Sequence, residues 1–241
     1  TEIRGEFNPI STNVAGIQIG ECFPMIASMF DKFTAIRSIV GCKNRHDGYQ
    51  CTTGWLRENK VSGSTYPAIG SAASKVLGPV TIAVPPNITL LEETSHSPWY
   101  DFEKPGYLGT AYKSFTPNGQ MMKNLKLNIS KDRFKKRQNL LRGVDISHID
   151  MKLLTEESFD VLMSSKLLDA LDLSKEDPKT LERYGTGKPY KYQYDGAATD
   201  NEKLLIARRL VQAGARSITL NYGRWDSHGD NFGLVRDHGP K

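Results

Sequence analysis

A β-branched run that empties straight into a loop of metal-ligand side chains limits most sharply what this chain can fold into. Ser217-Ile-Thr-Leu-Asn221 is apolar and branched at Cβ, which predicts a buried strand. Trp225-Asp-Ser-His-Gly-Asp-Asn231 follows closely, so Asp226 and His228 are expected in the loop at that strand's C-terminal end. In open α/β sheets this edge collects ligands and catalytic groups. Asp226 offers a hard anionic oxygen and His228 a borderline nitrogen, a pairing on which Zn²⁺, Mn²⁺ and Fe²⁺ sites draw. Gly229 lets the backbone turn sharply there. A purely structural arrangement fits the same residues, with Asp226 capping the next helix and His228 solvated in the loop.

The rest of the chain reads as alternating strands and helices. Cys22 to Lys32 carries an apolar stripe at helical spacing, with Pro24 in its first turn. Thr34 to Val40 and Val80 to Val84 read as strands, the second halted by Pro85-Pro86. A helix is expected from Pro67 to Leu77, closed by Gly78-Pro79. Residues 87–128, rich in Pro, Gly, Ser and aromatics, read as a surface excursion of the kind that forms lids and substrate rims. Trp99, Tyr100, Tyr107 and Tyr112 would face a groove there, unless they are pinned into the core. Further helices are expected at Lys131 to Arg142, His148 to Leu171, Asp200 to Ala213 ending at Gly214, and from near Asn231. The economical architecture is one α/β domain over residues 1–241, with a mainly helical insertion over 131–198.

A second polar cluster follows the expected strand at Thr34. Lys43 and Arg45 can hold an anionic group such as phosphate or sulfate. His46 and Asp47 can bind metal or shuttle a proton. Thr52 or Thr53 can offer a hydroxyl near a helix N-terminus, where developing anions are stabilised. A polar loop with a Thr cap explains the same residues.

Composition narrows the classes. The 241 residues can bury a sizeable core, and 38% hydrophobic with 24% charged residues is ordinary for a soluble globular protein. No apolar run approaches a membrane span, and no signal peptide is present. The net charge of +5 invites a polyanion partner. Its excess is diffuse apart from Lys131 to Arg137, where Arg133, Lys136 and Arg137 fall at helical spacing as on a solvated face. No nucleic-acid motif accompanies that run. Cys22, Cys42 and Cys51 lack metal-type spacing. Free or buried thiols are the simplest reading, with one Cys42–Cys51 bridge as the alternative.

The order of segments resembles a large, mostly uncharacterised bacterial family abundant in planctomycetes, the domain-of-unknown-function family number fifteen-hundred-and-one, often labelled sulfatase-like. The likeness runs from Glu2 to Ile19 through Asp31-Lys-Phe-Thr-Ala-Ile-Arg-Ser38, Thr53-Gly54, Pro67-Ala-Ile-Gly70 and Pro105-Gly-Tyr-Leu-Gly109. It resumes at Ala207-Arg-Arg-Leu-Val-Gln-Ala-Gly214 and closes with Trp225-Asp-Ser-His-Gly229. The resemblance implies a distant relation to the alkaline phosphatase and sulfatase superfamily. That relation implies an α/β sheet flanked by helices, with a one- or two-metal site at its C-terminal edge.

On that resemblance Asp226 and His228 are metal ligands of the Trp-Asp-x-His-Gly motif, and His46 lies where the superfamily carries its nucleophile. Cys42 is followed by Lys43, Asn44 and Arg45. The Pro and Arg spacing that formylglycine formation needs is therefore missing. The chain opens without Met and stops in an expected helix, as a fragment would. The resemblance adds that an early Gly-Gly-Pro segment and later Glu-Phe-Gly-Arg and Arg-Asp-His-Trp motifs lie outside it. The implied protein is an exported hydrolase of sulfate or phosphate esters that uses a divalent metal (zinc, manganese, calcium or magnesium). Catalytic roles are expected for His46, Thr52 and Thr53, and substrate contacts for Lys43, Arg45 and Trp99. Its partner would be a sulfated or phosphorylated small molecule or polysaccharide, with no nucleic acid and no membrane span. A non-catalytic protein that binds polysaccharide or another polyanion is the alternative. Unpaired strand edges would favour self-association.

Overall fold

The computed structural model describes residues 5–44, 48–91, 103–117, 129–143, 161–162, 164–185, 188–191, 197–223, 225 and 229–240. The chain divides into two compact units, one built from residues 1–42, 189–199 and 222–241, the other from 43–188 and 200–221. Mixed helices and small sheets make up both, in keeping with an α/β protein.

In the first unit β1 (Pro9–Ser11) and β2 (Gln18–Gly20) pair antiparallel, with Ile10 opposite Ile19. Helix α1 (Pro24–Ser28) has Pro24 in its first turn, where a missing N–H costs nothing, and a 3₁₀ turn at Phe30–Lys32 continues it. The run Thr34 to Val40 differs from expectation. It has no strand geometry, and Ile36, Ile39 and Val40 are exposed. β-branched residues favour a strand only where a neighbouring strand and a covered face receive them, and this run has neither among the described residues. The polar cluster beginning at Lys43 therefore does not follow a strand. The closing helix of this unit (Asn231–His238, called α8 below) packs Phe232 edge-on against Phe7, with ring centroids 5.6 Å apart. Arg236 lies over the Phe7 ring and pairs with Glu6.

The second unit is organised around two parallel strands, β5 (Asn87–Thr89) and β6 (Ser217–Thr219), in register at Ile88 and Ile218. Phe115 bridges to Ile88, donating its N–H to Asn87 O and accepting from Thr89 N at 2.9 Å each. The expected strand Val80 to Val84 is instead a series of bends and turns, and the strand begins only after Pro85-Pro86. Only Ala83 and Val84 of that run are buried, while Val80 and Ile82 are exposed. The second proline starts the sheet: Pro86 O accepts from both Arg216 N and Ser217 N. Asn87 thus opens a buried strand, where a surface excursion was expected.

Helices cover this pair. α3 (Ile69–Leu77) meets both strands through Gly70, Ser71 and Ser74, leaving Ile69, Val76 and Leu77 exposed. α7 (Asn201–Ala213) is capped by Asp200, whose side chain accepts from Glu202 N, and closed by Gly214 in the left-handed region. Its Arg209 reaches α5 (Lys166–Leu171), donating to Ala170 O at 2.9 Å and Asp172 O at 3.1 Å. These carbonyls lie at the C-terminal end of α5, where a helix runs out of its own donors. Glu176 pairs with the same guanidinium ahead of α6 (Pro178–Tyr184), which Asp177 caps. α4 (Lys131–Arg142) is capped by Ser130 and buries Phe134, while Arg133, Lys136 and Arg137 are exposed, as a solvated face requires. α2 (Tyr49–Thr53) and the hairpin of β3 (Lys60–Val61) and β4 (Ser64–Thr65) complete the set. The hairpin turns on Ser62 and Gly63, both at positive φ, which matches the right-handed twist of its strands. The core gathers Val84, Ile88, Leu167, Leu210 and Ala215, with Val161 and Ala170.

Leu210 is fully buried, whereas its neighbour Val211 is 57% exposed. Leu210→Ala is expected to cost about 2–5 kcal/mol, and Val211→Ala about 0.5 kcal/mol or less. Urea unfolding of both variants checks this, and equal losses would mean that the helix faces the core by another side.

Candidate functional site

Asp226, His228, His46, Arg45 and Trp99 lie outside the described residues. The convergence of His46 with Asp226 and His228, expected from their placement after strands, involves those residues. The segments that carry them belong to different units.

Lys43, Thr52 and Thr53 are described. Lys43 donates its backbone N–H to Gln50 Oε1 at 3.0 Å, and its ammonium stands 3.6 Å from Glu58 Oε1 on the surface. Its charge therefore already has a counter-ion. Thr52 and Thr53 were expected at a helix N-terminus but occupy the last turn of α2. Both hydroxyls donate to helix carbonyls, Thr52 to Gly48 O and Thr53 to Tyr49 O, and Thr53 Oγ1 also accepts from Trp55 N. The reason is Gly54, which takes the left-handed conformation and closes the helix just after the pair. Cys42 and Cys51 are exposed free thiols, and Cys22 is a partly buried one.

The residues on either side of the Asp226 to His228 stretch are held in place. Before it, Gly223 sits at φ +68°, where a Cβ would fall 2.6 Å from the His238 ring, so only glycine fits. Trp225 donates its indole N–H to Tyr222 O at 3.1 Å and meets the His238 ring edge-on at 5.3 Å. After it, Asp230 adopts φ +47° and caps α8, accepting from Gly233 N at 3.2 Å. The capping role considered for Asp226 is thus filled by Asp230. His238 is a residue that sequence reasoning missed. Its side chain is buried, with Nδ1 2.8 Å from Asp237 Oδ2, an arrangement that fixes the ring's tautomer and orientation. The available signal was its spacing of one helical turn from the buried Leu234.

A second missed residue stands in the other unit, where the parallel strands end. Thr219 closes β6 and donates its hydroxyl to Glu103 Oε1 at 3.0 Å. Glu103 Oε2 is buried and finds no hydrogen-bond partner among the described residues. Burial pushes the Glu103 carboxyl above its ordinary value, and the Thr219 hydrogen bond offsets this only in part. Ser114 Oγ contacts Glu103 O at 3.5 Å, and Lys104 O accepts from Ala68 N, tying down the backbone on both sides of the carboxyl. A carboxyl that keeps its proton to higher pH, at the C-terminal end of a parallel pair, is equipped for general acid chemistry. No sequence pattern marks Glu103. Of the expected aromatic rim, Tyr107 is 47% exposed, whereas Tyr112 is partly buried beneath the Lys75 ammonium.

The described residues thus define a mixed α/β protein with a half-buried carboxyl at a strand-end edge. The chain belongs to the family described as protein of unknown function (DUF1501), which matches it over residues 1–241. No curated protein and no solved structure gives a match. Among the described residues no helix is long and apolar enough to cross a membrane.

The raised Glu103 carboxyl has a consequence for stability. The folded chain keeps this proton at pH values where the unfolded chain, titrating near 4.5, has lost it. The contribution is therefore fully present below the unfolded value and is lost as pH rises through the folded one. Glu103→Gln, which cannot ionise, should gain on the wild type as pH rises from 4 towards 8. Melting temperatures of the pair across this range check it, and a constant difference would contradict the raised value.

Proposed function

We propose that the protein is an exported hydrolase of sulfate or phosphate esters, related to the alkaline phosphatase and sulfatase superfamily, in which Asp226 and His228 hold a divalent metal. The Trp225-Asp-Ser-His-Gly229 motif carries this reading. Cleavage of such an ester forms a bond from a water oxygen to sulfur or phosphorus and breaks the bond to the ester oxygen. The departing alkoxide takes up one proton and the attacking water sheds one, so the step balances.

Support for the metal comes from the Trp-Asp-x-His-Gly resemblance. Among the described residues no three His, Cys, Asp or Glu side chains are grouped to hold an ion. A divalent ion of this class, when bound, lowers the pKa of water and neutralises the anionic ester. Arg45 is assigned to the ester's free oxygens, as a planar fork that matches them.

The test uses the full chain with 4-methylumbelliferyl sulfate and phosphate in the presence of zinc, manganese, calcium or magnesium. Hydrolysis is expected with at least one pair. Asp226→Ala should lose bound metal, read by elemental analysis. Metal content unchanged in Asp226→Ala would overturn the ligand assignment, and absence of hydrolysis with every metal would overturn the enzyme.

A further inference from the structure

Three stretches of the second unit bring aromatic rings together. Trp55 stacks on Tyr66, with centroids 4.2 Å apart and planes 11° from parallel. Tyr107 meets Tyr66 edge-on at 5.8 Å. Beneath them Tyr49 is buried, donates its hydroxyl to Tyr66 O at 3.2 Å, and lies under the Arg57 guanidinium. The backbone enforces the arrangement. Gly106 has φ +53°, and a Cβ there would fall 2.3 Å from Thr65 O. Only glycine lets the chain come so close, and this delivers Tyr107 to Tyr66. The Trp55 backbone is set by the Gly54 turn and by the hydrogen bond from its main-chain N–H to Thr53 Oγ1.

Trp55 nonetheless remains 46% exposed and Tyr107 47%. One face of the indole is covered by Tyr66, and nearly half of the residue stays open to solvent. An aromatic face is the negative side of the ring quadrupole. It attracts polarised C–H groups, which a pyranose presents in a flat array because each ring carbon bears an oxygen. The ring is already held, so a ligand stacking on it freezes little side-chain freedom.

The neighbouring charges choose between occupants. Nucleic acid would need cations for its phosphates, yet Lys43 is paired with Glu58 and Arg57 is engaged over Tyr49. An apolar protein partner would need aliphatic surface around the indole, whereas Trp55 and Leu56 lead into Arg57, Glu58, Asn59 and Lys60. Aromatic planes beside paired and polar groups suit a ligand with C–H faces and hydroxyl edges.

We infer that Trp55 and Tyr107, braced by Tyr66, form a binding platform for the pyranose rings of an oligosaccharide. It involves none of the residues assigned to ester hydrolysis.

Affinity electrophoresis of the full chain in gels containing laminarin, xylan, chondroitin sulfate or λ-carrageenan tests this, with isothermal titration against the matching hexasaccharides. At least one glycan should retard the wild type. Trp55→Ala and Tyr107→Ala should each weaken binding about tenfold or more, while Trp55→Phe retains most of it. Melting curves of Trp55→Phe and Tyr107→Ala guard against a loss of fold. EDTA and the Asp226→Ala substitution should leave glycan binding unchanged, which separates this site from the hydrolytic one. Retardation by no glycan would overturn the platform, and so would binding that survives both alanine variants.

Discussion

The close approach of helix α3 to the parallel strands sets the geometry of the second unit. At Gly70 a Cβ would fall 2.2 Å from Asn87 Oδ1 and 2.8 Å from Ser217 Oγ, so the helix meets both strands where it has no side chain. Its inward face is small and polar. Ser71 Oγ and both polar atoms of the Asn87 side chain are buried without a hydrogen-bond partner among the described residues. Such groups cost about 1–3 kcal/mol each. Ser74 avoids the cost by donating to Gly70 O at 2.8 Å. The apolar side chains of α3 are turned outward instead. Compensation must come from the other side of the sheet, where Leu210, Leu167 and Val161 pack on Ile88 and Val84.

Arg209 holds that other side in place. Its guanidinium sits over the end of α5 and meets Glu176, with only 14% and 18% of the two side chains exposed. A pair so far removed from water is costly to leave half-made, so the arginine locks α5 and α7 together more firmly than a surface bridge would. The contrast is the pair of Lys175 with Asp169, whose side chains stand about half in solvent. The carboxyl of Asp169 is nevertheless held below its ordinary range by the Lys175 hydrogen bond.

Features that announce themselves locally were legible in the sequence. The strand at Ser217, the cap and αL glycine around α7, the basic face of α4 and the helix after Asp230 each follow from residues within a turn of one another. Thr34 to Val40 and Val80 to Val84 have the composition of strands, but pairing partners decide strands, and composition does not name partners. Glu103 was illegible for the same reason. Its chemistry depends on Thr219, 116 residues away, and on burial that its own neighbourhood of Pro and Gly does not suggest. His238 was hidden differently, because a histidine in a last helical turn is most simply read as a partner for the helix dipole. Thr52 and Thr53 show that residue type alone cannot say which end of a helix a hydroxyl will serve.

Pairing Ile88 with Ile218 has a consequence for how the chain comes to be folded. Most of the polypeptide between them must be made before β5 can meet β6, so the contact closes a long loop and pays its entropy late. During synthesis Phe115 can already occupy one edge of β5, since it lies only a short way downstream. The opposite edge stays bare until Ser217 leaves the ribosome, with Leu90 N and Pro86 O still lacking the partners that β6 and Arg216 provide. An exposed strand edge beside uncovered apolar side chains is where nascent chains associate with one another. The interval before Ser217 emerges is therefore the one in which the β5 edge is most open to pairing with another chain.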